Sequence, residues 1–145
     1  MPAKNILIAD DDQVILDLLE EILQMEGYQT FLVSNGEEAV ETTKKYPIDV
    51  AILDKKMPIM DGIEALKRIK KIDSTVEVLI MTGYADIETL RQSLIDYGAF
   101  DYLLKPLKIK REEICNAVRK ALLKRDHALK DDFIEKELNN RILQL

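Results

Sequence analysis

The sequence predicts a doubly wound α/β fold, in which five helices cover both faces of a five-stranded parallel sheet. The first observation is the length of 145 residues, of which 47% are hydrophobic and 33% charged, enough apolar material for one core. The second is a series of short apolar runs without polar alternation, which is typical of strands buried on both faces. The third is that amphipathic helical patterns separate these runs, as parallel β–α–β crossovers require.

Five short segments have the length and composition of strands. Residues 5–9, 49–53 and 76–81 are nearly continuous apolar runs, and they predict central strands. Residues 30–33 and 100–104 match less well, and we assign them to the edges of the sheet.

The first helix is predicted between the first two strands, from residue 13 to residue 26, and Gly27 ends it. Apolar residues recur there at spacings of three and four positions. These residues are Ile15, Leu18, Leu19, Ile22 and Met25, and their spacing predicts an amphipathic helix.

Three further helices separate the remaining strands. The second covers residues 37–46 and stops at Pro47, and the third covers residues 63–71. The fourth covers residues 87–97 and ends at Gly98. Each lies between two predicted strands, so the alternation of strand and helix is complete.

Composition and charge exclude several classes of protein. No apolar run reaches the roughly 18–20 residues of a membrane span, and the N-terminus lacks a signal-peptide pattern. We therefore expect no membrane association and a cytoplasmic location. One cysteine excludes an internal disulfide, and one histidine excludes a multi-histidine metal site.

The net charge of −6 is distributed unevenly along the chain. Residues 1–106 hold 11 basic and 20 acidic side chains, whereas residues 107–145 hold 10 basic and 7 acidic ones. The acidic part repels nucleic acid. We expect nucleic-acid contact only through an output domain absent from this chain.

Polar side chains follow four of the predicted strands. Asp10, Asp11 and Asp12 come after the first strand, and Asp54 comes after the third. Further along the chain, the polar residues at strand ends are Thr82 with Gly83 and Lys105 with Pro106. Ligands of doubly wound sheets bind at the carboxyl ends of the strands, so these side chains are expected to converge.

The chemistry of this set suits the transfer of a phosphoryl group. Clustered carboxylates favour a bound cation, and oxygen ligands suit Mg²⁺. A carboxylate at a strand end, here Asp54, can act as a nucleophile towards phosphorus. Lys105 supplies a positive charge for the incoming anion, and the hydroxyl of Thr82 can donate a hydrogen bond to it.

Four motifs stand in a fixed order over about residues 4–124. They are ILIADD at 6–11, Asp54 followed by MP at 57–58 and MDG at 60–62, MTG at 81–83, and GAFDYLLKP at 98–106. With these motifs the chain resembles the receiver domain of two-component response regulators. The resemblance implies a flavodoxin-like sheet of strand order 2-1-3-4-5.

The resemblance assigns a role to each acidic residue that matches a motif. Asp54 is expected to be the phosphorylated aspartate. Asp10 and Asp11 are expected to hold Mg²⁺ together with Asp54 and the backbone carbonyl of Lys56. Asp12 is expected to lie outside this metal site.

The resemblance also assigns the residues that respond to phosphorylation. Thr82 and Lys105 are expected to contact the phosphoryl group, and Tyr102 is the expected aromatic switch that follows Thr82. The peptide bond before Pro106 is expected to be cis.

The partner is expected to be a sensor histidine kinase or a phosphotransfer protein. We expect it to dock beside the acidic pocket on apolar residues of the first helix: Val14, Ile15 and Leu18.

The chain continues well past the last predicted strand. No Gly or Pro follows Pro106, so residues 110–143 can form one helix of about 50 Å. We predict a receiver domain over residues 1–124 and a helical extension or linker over residues 125–145.

The extension carries apolar residues that we expect to pair with a second copy, namely Leu129, Phe133, Ile134, Leu138, Ile142 and Leu145. A frayed helix or a cut linker is the alternative. Of the other side chains near it, Cys115 is expected to be half-buried and His127 exposed. The basic residues Arg119, Lys120, Lys124 and Arg125 are expected to form a solvated face.

The predicted function is that of a signalling phosphoacceptor, which catalyses only its own phosphorylation and slow dephosphorylation. An alternative is a regulatory fragment of a larger transcriptional activator. An aspartyl phosphatase would want an acid where Lys56 stands, and a flavin or nucleotide module would want a Ser/Thr/Gly-rich loop where the three aspartates stand.

Overall fold

The structure, a computed structural model, describes residues 2–83, 87–105 and 110–144. Five strands and five helices alternate along the chain. In order they are β1 (Asn5–Ala9), α1 (Gln13–Met25), β2 (Gln29–Val33), α2 (Gly36–Lys45), β3 (Val50–Asp54), α3 (Gly62–Ile72), β4 (Glu77–Thr82), α4 (Ile87–Tyr97), β5 (Asp101–Leu104) and α5 (Arg111–Leu143).

The strands form one parallel sheet in the order β2-β1-β3-β4-β5, which confirms the predicted fold. Every residue of β3 and β4 is buried, as their apolar runs predict. β2 and β5 are the edge strands, and each is only partly covered. Since all strands run the same way, their carboxyl ends lie along one edge of the sheet.

Polar caps and glycines set the ends of the helices. Asp12, Asn35 and Asp61 cap α1, α2 and α3, each accepting a hydrogen bond of 2.8–3.0 Å from a backbone N–H two or three residues further on. Gly27 follows α1 with a φ of 86°, and Gly98 follows α4 with a φ of 78°. This left-handed conformation favours glycine, which is why both helices end where the sequence predicts.

Two apolar layers sandwich the sheet. α1 and α5 pack against one face, and α2, α3 and α4 pack against the other. None of the helices in the described ranges combines the length and the apolar composition that a membrane span requires.

The buried face of α1 is shifted from the apolar residues whose spacing predicted the helix. The buried residues are Leu16, Leu19, Ile22 and Leu23. Leu18 and Met25 are exposed, and Ile15 is half-buried and packs against the core. Apolar residues occupy more than half of the circumference of this helix, so their spacing alone does not determine which side packs on the sheet.

α5 is 33 residues long, or about 50 Å, and only its first half packs on the domain. Its buried residues run from Ile114 to Arg125. Arg125 corrects a prediction, because its side chain is buried against the domain and does not belong to a solvated face. Cys115 is half-buried and His127 is exposed, as predicted.

Candidate functional site

Four strands bring the predicted polar residues to the carboxyl edge of the sheet. Asp10 directly follows β1, and Asp54 is the last residue of β3. Thr82 is the last residue of β4, and Lys105 directly follows β5. The backbone N–H of Lys105 donates to the carbonyl of Thr82 at 2.6 Å, which ties the last two strand ends together.

Three carboxylates meet at this edge. Asp10, Asp11 and Asp54 each offer an oxygen, and these oxygens lie within 4.8 Å of one another. The side chains of Asp10 and Asp54 are buried, whereas Asp11 is exposed. The pocket therefore has two carboxylates on its floor and one at its mouth.

Lys105 is the cation that faces the buried pair. Its Nζ lies 2.8 Å from Asp10 Oδ2 and 3.0 Å from Asp54 Oδ2. One ammonium group thus bridges the ends of β1 and β3, although 51 positions separate Lys105 from Asp54.

The protonation equilibria of Asp54 and Lys105 reflect this crowding. Burial and the charge of Asp10 raise the pKa of the Asp54 carboxyl. The hydrogen bonds from Lys105 and from the backbone amide of Lys56 lower it, but the net pKa lies above its ordinary value. Burial lowers the pKa of the Lys105 ammonium, but its bonds to Asp10 and Asp54 outweigh burial and hold the pKa above its ordinary value.

The loop after β3 is packed so closely that two positions accept only glycine. A Cβ on Gly62 would lie 2.1 Å from the carbonyl oxygen of Asp54, and a Cβ on Gly36 would lie 2.4 Å from that of Met60. The N–H of Gly36 donates to the same Met60 carbonyl at 2.9 Å. This packing holds the backbone that carries Asp54 against the start of α2.

Ile59, in the same loop, has a φ of 70°. A β-branched residue in this region is unusual, and the conformation costs about 1–2 kcal/mol. Its side chain is largely exposed. No feature of the sequence indicated this conformation.

The carboxylates fit a magnesium ion. Asp10, Asp11 and Asp54 supply three negative charges, and Lys105 balances only one of them. Asp10 Oδ2 is buried and receives no hydrogen bond of ordinary geometry from the described residues, so the ion pair with Lys105 is its contact. An all-oxygen group with excess negative charge and an exposed member suits a hard, partly hydrated cation.

Most of the residues predicted for the site lie together. Asp10, Asp11, Asp54 and Lys105 form one cluster, and the buried Thr82 borders it through its backbone bond to Lys105. The peptide bond before Pro106 lies outside the described residues.

Two predicted residues lie apart from the carboxylates. Tyr102 is half-buried and packs into the apolar layer that includes α4. Asp12 does not belong to the carboxylate group among the described residues; its side chain accepts from the N–H of Val14 as the cap of α1.

Comparisons with known proteins agree with this geometry. The family model described as the response regulator receiver domain matches residues 6–119. The chain is 43% identical over 122 residues to sporulation initiation phosphotransferase F of Bacillus subtilis (strain 168), a match that covers 84% of this chain and 96% of that protein. It is 41% identical over 103 residues to the transcriptional regulatory protein ZraR of Klebsiella oxytoca, covering 71% of this chain and 23% of that protein.

A solved structure extends the comparison to the metal site. The receiver domain of the sensor histidine kinase PA1611 from Pseudomonas aeruginosa PAO1 matches with a TM-score of 0.74 and 27% identity, covering 83% of this chain and 98% of that one. That structure has a magnesium ion coordinated in its active-site cleft.

Proposed function

Because the chain belongs to the response regulator receiver family, we propose that Asp54 is the residue that accepts the phosphoryl group. The observation that carries the assignment is the contact of 3.0 Å between Asp54 Oδ2 and Lys105 Nζ at the carboxyl edge of the sheet. Asp54 is the member of the acidic cluster that ends the central strand β3.

In the proposed transfer, a carboxylate oxygen of Asp54 attacks phosphorus as the bond from phosphorus to the donor's histidine nitrogen breaks. That nitrogen leaves with the electron pair, and the aspartate becomes an acyl phosphate. Lys105, already in contact with Asp54, pairs with a phosphoryl oxygen. Mg²⁺ held by Asp10, Asp11, Asp54 and the Lys56 carbonyl would offset the negative charge that accumulates.

We propose that the acyl phosphate is lost by slow hydrolysis within the same pocket. The two residues that follow Asp54 are Lys55 and Lys56, and Lys56 stands where an aspartyl phosphatase would have its general acid. Turnover of external phosphate esters is therefore not expected.

We propose that phosphorylation is transmitted through Thr82 and Tyr102. The phosphoryl group adds about −1.5 to −2 charge, and the hydroxyl of Thr82 moves to donate to it. Tyr102 lies on β5 beside the neighbouring strand β4, with Ile80 as its register partner. Its half-buried ring can then turn inward, which changes the face formed by α4, β5 and α5.

We propose a histidine kinase or a phosphotransfer protein as the partner, docked on the start of α1. Val14 there is 73% exposed and Leu18 37% exposed, and Ile15 is half-buried. These exposed apolar side chains lie in the first turns of α1, whose capping residue Asp12 is next to Asp11 in the sequence. The phosphoryl donor and this chain must share a compartment, and Cys115 is a free thiol. We infer that this compartment is the cytoplasm, where thiols stay reduced.

We propose that the projecting part of α5 pairs with a second copy of the chain. Its apolar side chains are exposed: Leu129, Phe133, Ile134, Leu138 and Ile142, together with Leu143. Leu145, which the sequence also assigns to this set, lies outside the described residues. Full burial of such a side chain is worth roughly 1.5–3 kcal/mol. A symmetric helix pair is the common way to bury such a face.

Acetyl phosphate with Mg²⁺, followed by intact mass measurement, tests the proposed function. The chain should gain one phosphoryl group, and chelation of the metal should prevent the gain. Asp54→Asn should abolish labelling, whereas Asp61→Asn, which keeps a capping side chain on α3, should not. Full labelling of the Asp54→Asn variant would overturn the assignment.

A further inference from the structure

Arg125 holds the middle of α5 against the amino ends of two strands. Its Nε donates to Asp49 Oδ1 at 3.0 Å, just before β3 begins. The same carboxylate accepts a hydrogen bond of 2.8 Å from the backbone N–H of Asn5, which is the first residue of β1. Arg125 Nη1 donates to the hydroxyl of Thr75 and lies 3.9 Å from Asp73 Oδ2.

The residues on either side of Arg125 pair with further strands. Lys124 Nζ lies 3.4 Å from Oε2 of Glu77, the first residue of β4, and Glu77 is 3% exposed. Asp126 Oδ1 accepts from Lys4 Nζ at 3.1 Å, just before β1. Three consecutive residues of α5 therefore make ion pairs with residues at the starts of β4, β3 and β1.

Polar contact with the domain stops at this point of the helix. Among the described residues, nothing after Asp126 makes a hydrogen bond or ion pair with the domain, and the sole ion pair beyond it joins Lys136 to Asp132. Every described residue from Leu129 onward is exposed. We call residues 127–144 the arm.

We propose that Lys124, Arg125 and Asp126 form an ionic clamp that fixes the direction of the arm, so that arm and domain turn as one rigid body. Successive residues of a helix point about 100° apart, so these three side chains span more than half of its circumference. The helix is therefore held against rotation about its axis as well as against tilting.

Ion pairs suit this task better than apolar contacts do. Hydrophobic attraction has no preferred direction and tolerates sliding and rolling of a helix. The guanidinium of Arg125, in contrast, is a planar fork whose donors reach Asp49 and Thr75 at set angles. Its acceptors are themselves fixed, since Asp73 Oδ1 accepts from the backbone N–H and the hydroxyl of Thr75.

The clamp also lies beside the residue that precedes β5, the strand that leads to the phosphorylation pocket. Lys124 Nζ lies 5.6 Å from the ring centroid of Phe100, which directly precedes β5. β5 carries Tyr102 and ends at Lys105. A displacement of this strand would therefore reach the clamp through Phe100.

Distance measurements between spin labels test the clamp on the full chain. Labels are placed at Lys44→Cys on α2 and at Asn139→Cys on the arm, in a Cys115→Ser background diluted with unlabelled protein. We expect a single narrow distance distribution. Arg125→Met, which keeps the length of the stem, should broaden it at least twofold, whereas Arg119→Met, at an exposed arginine of the same helix, should leave it unchanged.

A charge exchange keeps the test decisive if Arg125→Met does not fold. Lys4 and Asp126 are both about two-fifths exposed, so substitution there is tolerated. Lys4→Asp and Asp126→Lys should each broaden the distribution, and the double variant should narrow it again. A distribution as narrow as that of the parent chain in a folded Arg125→Met protein, or in both single exchange variants, would overturn the proposal.

Discussion

The ammonium group of Lys105 lies 3.0 Å from Oδ2 of Asp54, and the same group lies 2.8 Å from Oδ2 of Asp10. One cation therefore neutralises part of a buried pair of carboxylates that would otherwise repel each other. The same carboxylates are the proposed ligands of Mg²⁺, so we expect the lysine and the metal to compete for them. The competition has consequences for metal affinity, stability and transfer that can be measured.

Lys105→Met is expected to bind Mg²⁺ more tightly than the parent chain. The substitution removes the positive charge closest to Asp10 and Asp54 and leaves three carboxylates for the metal. We expect a gain of about tenfold in affinity, or about 1.4 kcal/mol, in a calorimetric Mg²⁺ titration. Lys120→Met, at an exposed lysine of α5, should not change the affinity. Equal or weaker binding by Lys105→Met would contradict the competition.

Asp54→Asn is expected to stabilise the metal-free protein at neutral pH. Burial and the charge of Asp10 raise the folded-state pKa of Asp54, so the ionised carboxyl opposes folding above that pKa. We therefore expect a higher free energy of unfolding for Asp54→Asn than for the parent chain at pH 7. The advantage should shrink as the pH falls through the raised pKa, because the wild-type carboxyl then becomes neutral in the folded state.

Denaturant unfolding at several pH values measures this effect. Asp96→Asn, at an exposed aspartate of α4, should change stability by less than about 0.5 kcal/mol at every pH. An advantage of Asp54→Asn that grew towards low pH would have the wrong sign and would exclude the proposed origin.

Asp11→Ala and Asp12→Ala change adjacent aspartates, but we expect the first to affect Mg²⁺ binding and the second to affect the stability of the fold. Asp11 is an exposed member of the carboxylate group, so its loss should abolish measurable Mg²⁺ binding and leave stability nearly unchanged. Asp12 caps α1 through the N–H of Val14, so its loss should cost about 1 kcal/mol of stability and leave Mg²⁺ affinity unchanged.

Metal titration and denaturant unfolding on both variants decide the matter. If Asp11→Ala bound Mg²⁺ as tightly as the parent chain, the proposed metal ligand would be wrong. If Asp12→Ala lost the metal, the assignment of Asp12 outside the site would be wrong.

Substitutions at the start of α1 are expected to slow transfer from a protein donor. Val14→Asp and Leu18→Asp each replace an exposed apolar side chain with a charged one, so the fold should persist. Both variants should accept phosphate from acetyl phosphate at the parent rate, and transfer from a histidine kinase that labels the parent chain should slow about tenfold, the effect of about 1.4 kcal/mol.

Met25→Asp is the matched control for this surface. Met25 is 64% exposed at the far end of the same helix, so its substitution should leave both rates unchanged. Undiminished transfer to both Val14→Asp and Leu18→Asp would rule out this end of α1 as the docking surface.

Deletion of residues 127–145 is expected to abolish self-association without affecting labelling of Asp54. The deletion removes the exposed apolar side chains of the arm and keeps the ionic clamp. Sedimentation at about 100 μM should show a dimer for the full chain and a monomer for the shortened one. A full chain that is monomeric at this concentration would contradict the proposed pairing.

The elements and the residues of the pocket could be predicted from the sequence because local signals specify them. The apolar run of β3 ends at Asp54, and Gly27 and Gly98 stop their helices at the expected places. In a parallel sheet the carboxyl ends of strands share one edge, so Asp10 and Lys105 had to converge once the strands were identified.

Other features depended on contacts between distant parts of the chain. The phase of α1, which buries Leu16 and exposes Leu18, follows from packing on the sheet and α5, and helical spacing allowed both. Gly62 is required because the backbone of Asp54 passes within 2.1 Å of where a Cβ would lie. The positive φ of Ile59 could not be predicted from its residue type, because β-branched residues disfavour this conformation.

The alternation of strands and helices and the set of residues that meet at the carboxyl edge follow from local sequence signals, since periodicity, caps and strand ends are short-range properties. The burial of Arg125 depends on the folded chain, and its residue type and position suggested a solvated face instead. Its partner Asp49 lies 76 positions away, at the opposite edge of the sheet from the pocket. A buried charge is stable only beside its partner, and that pairing exists only once the chain has folded.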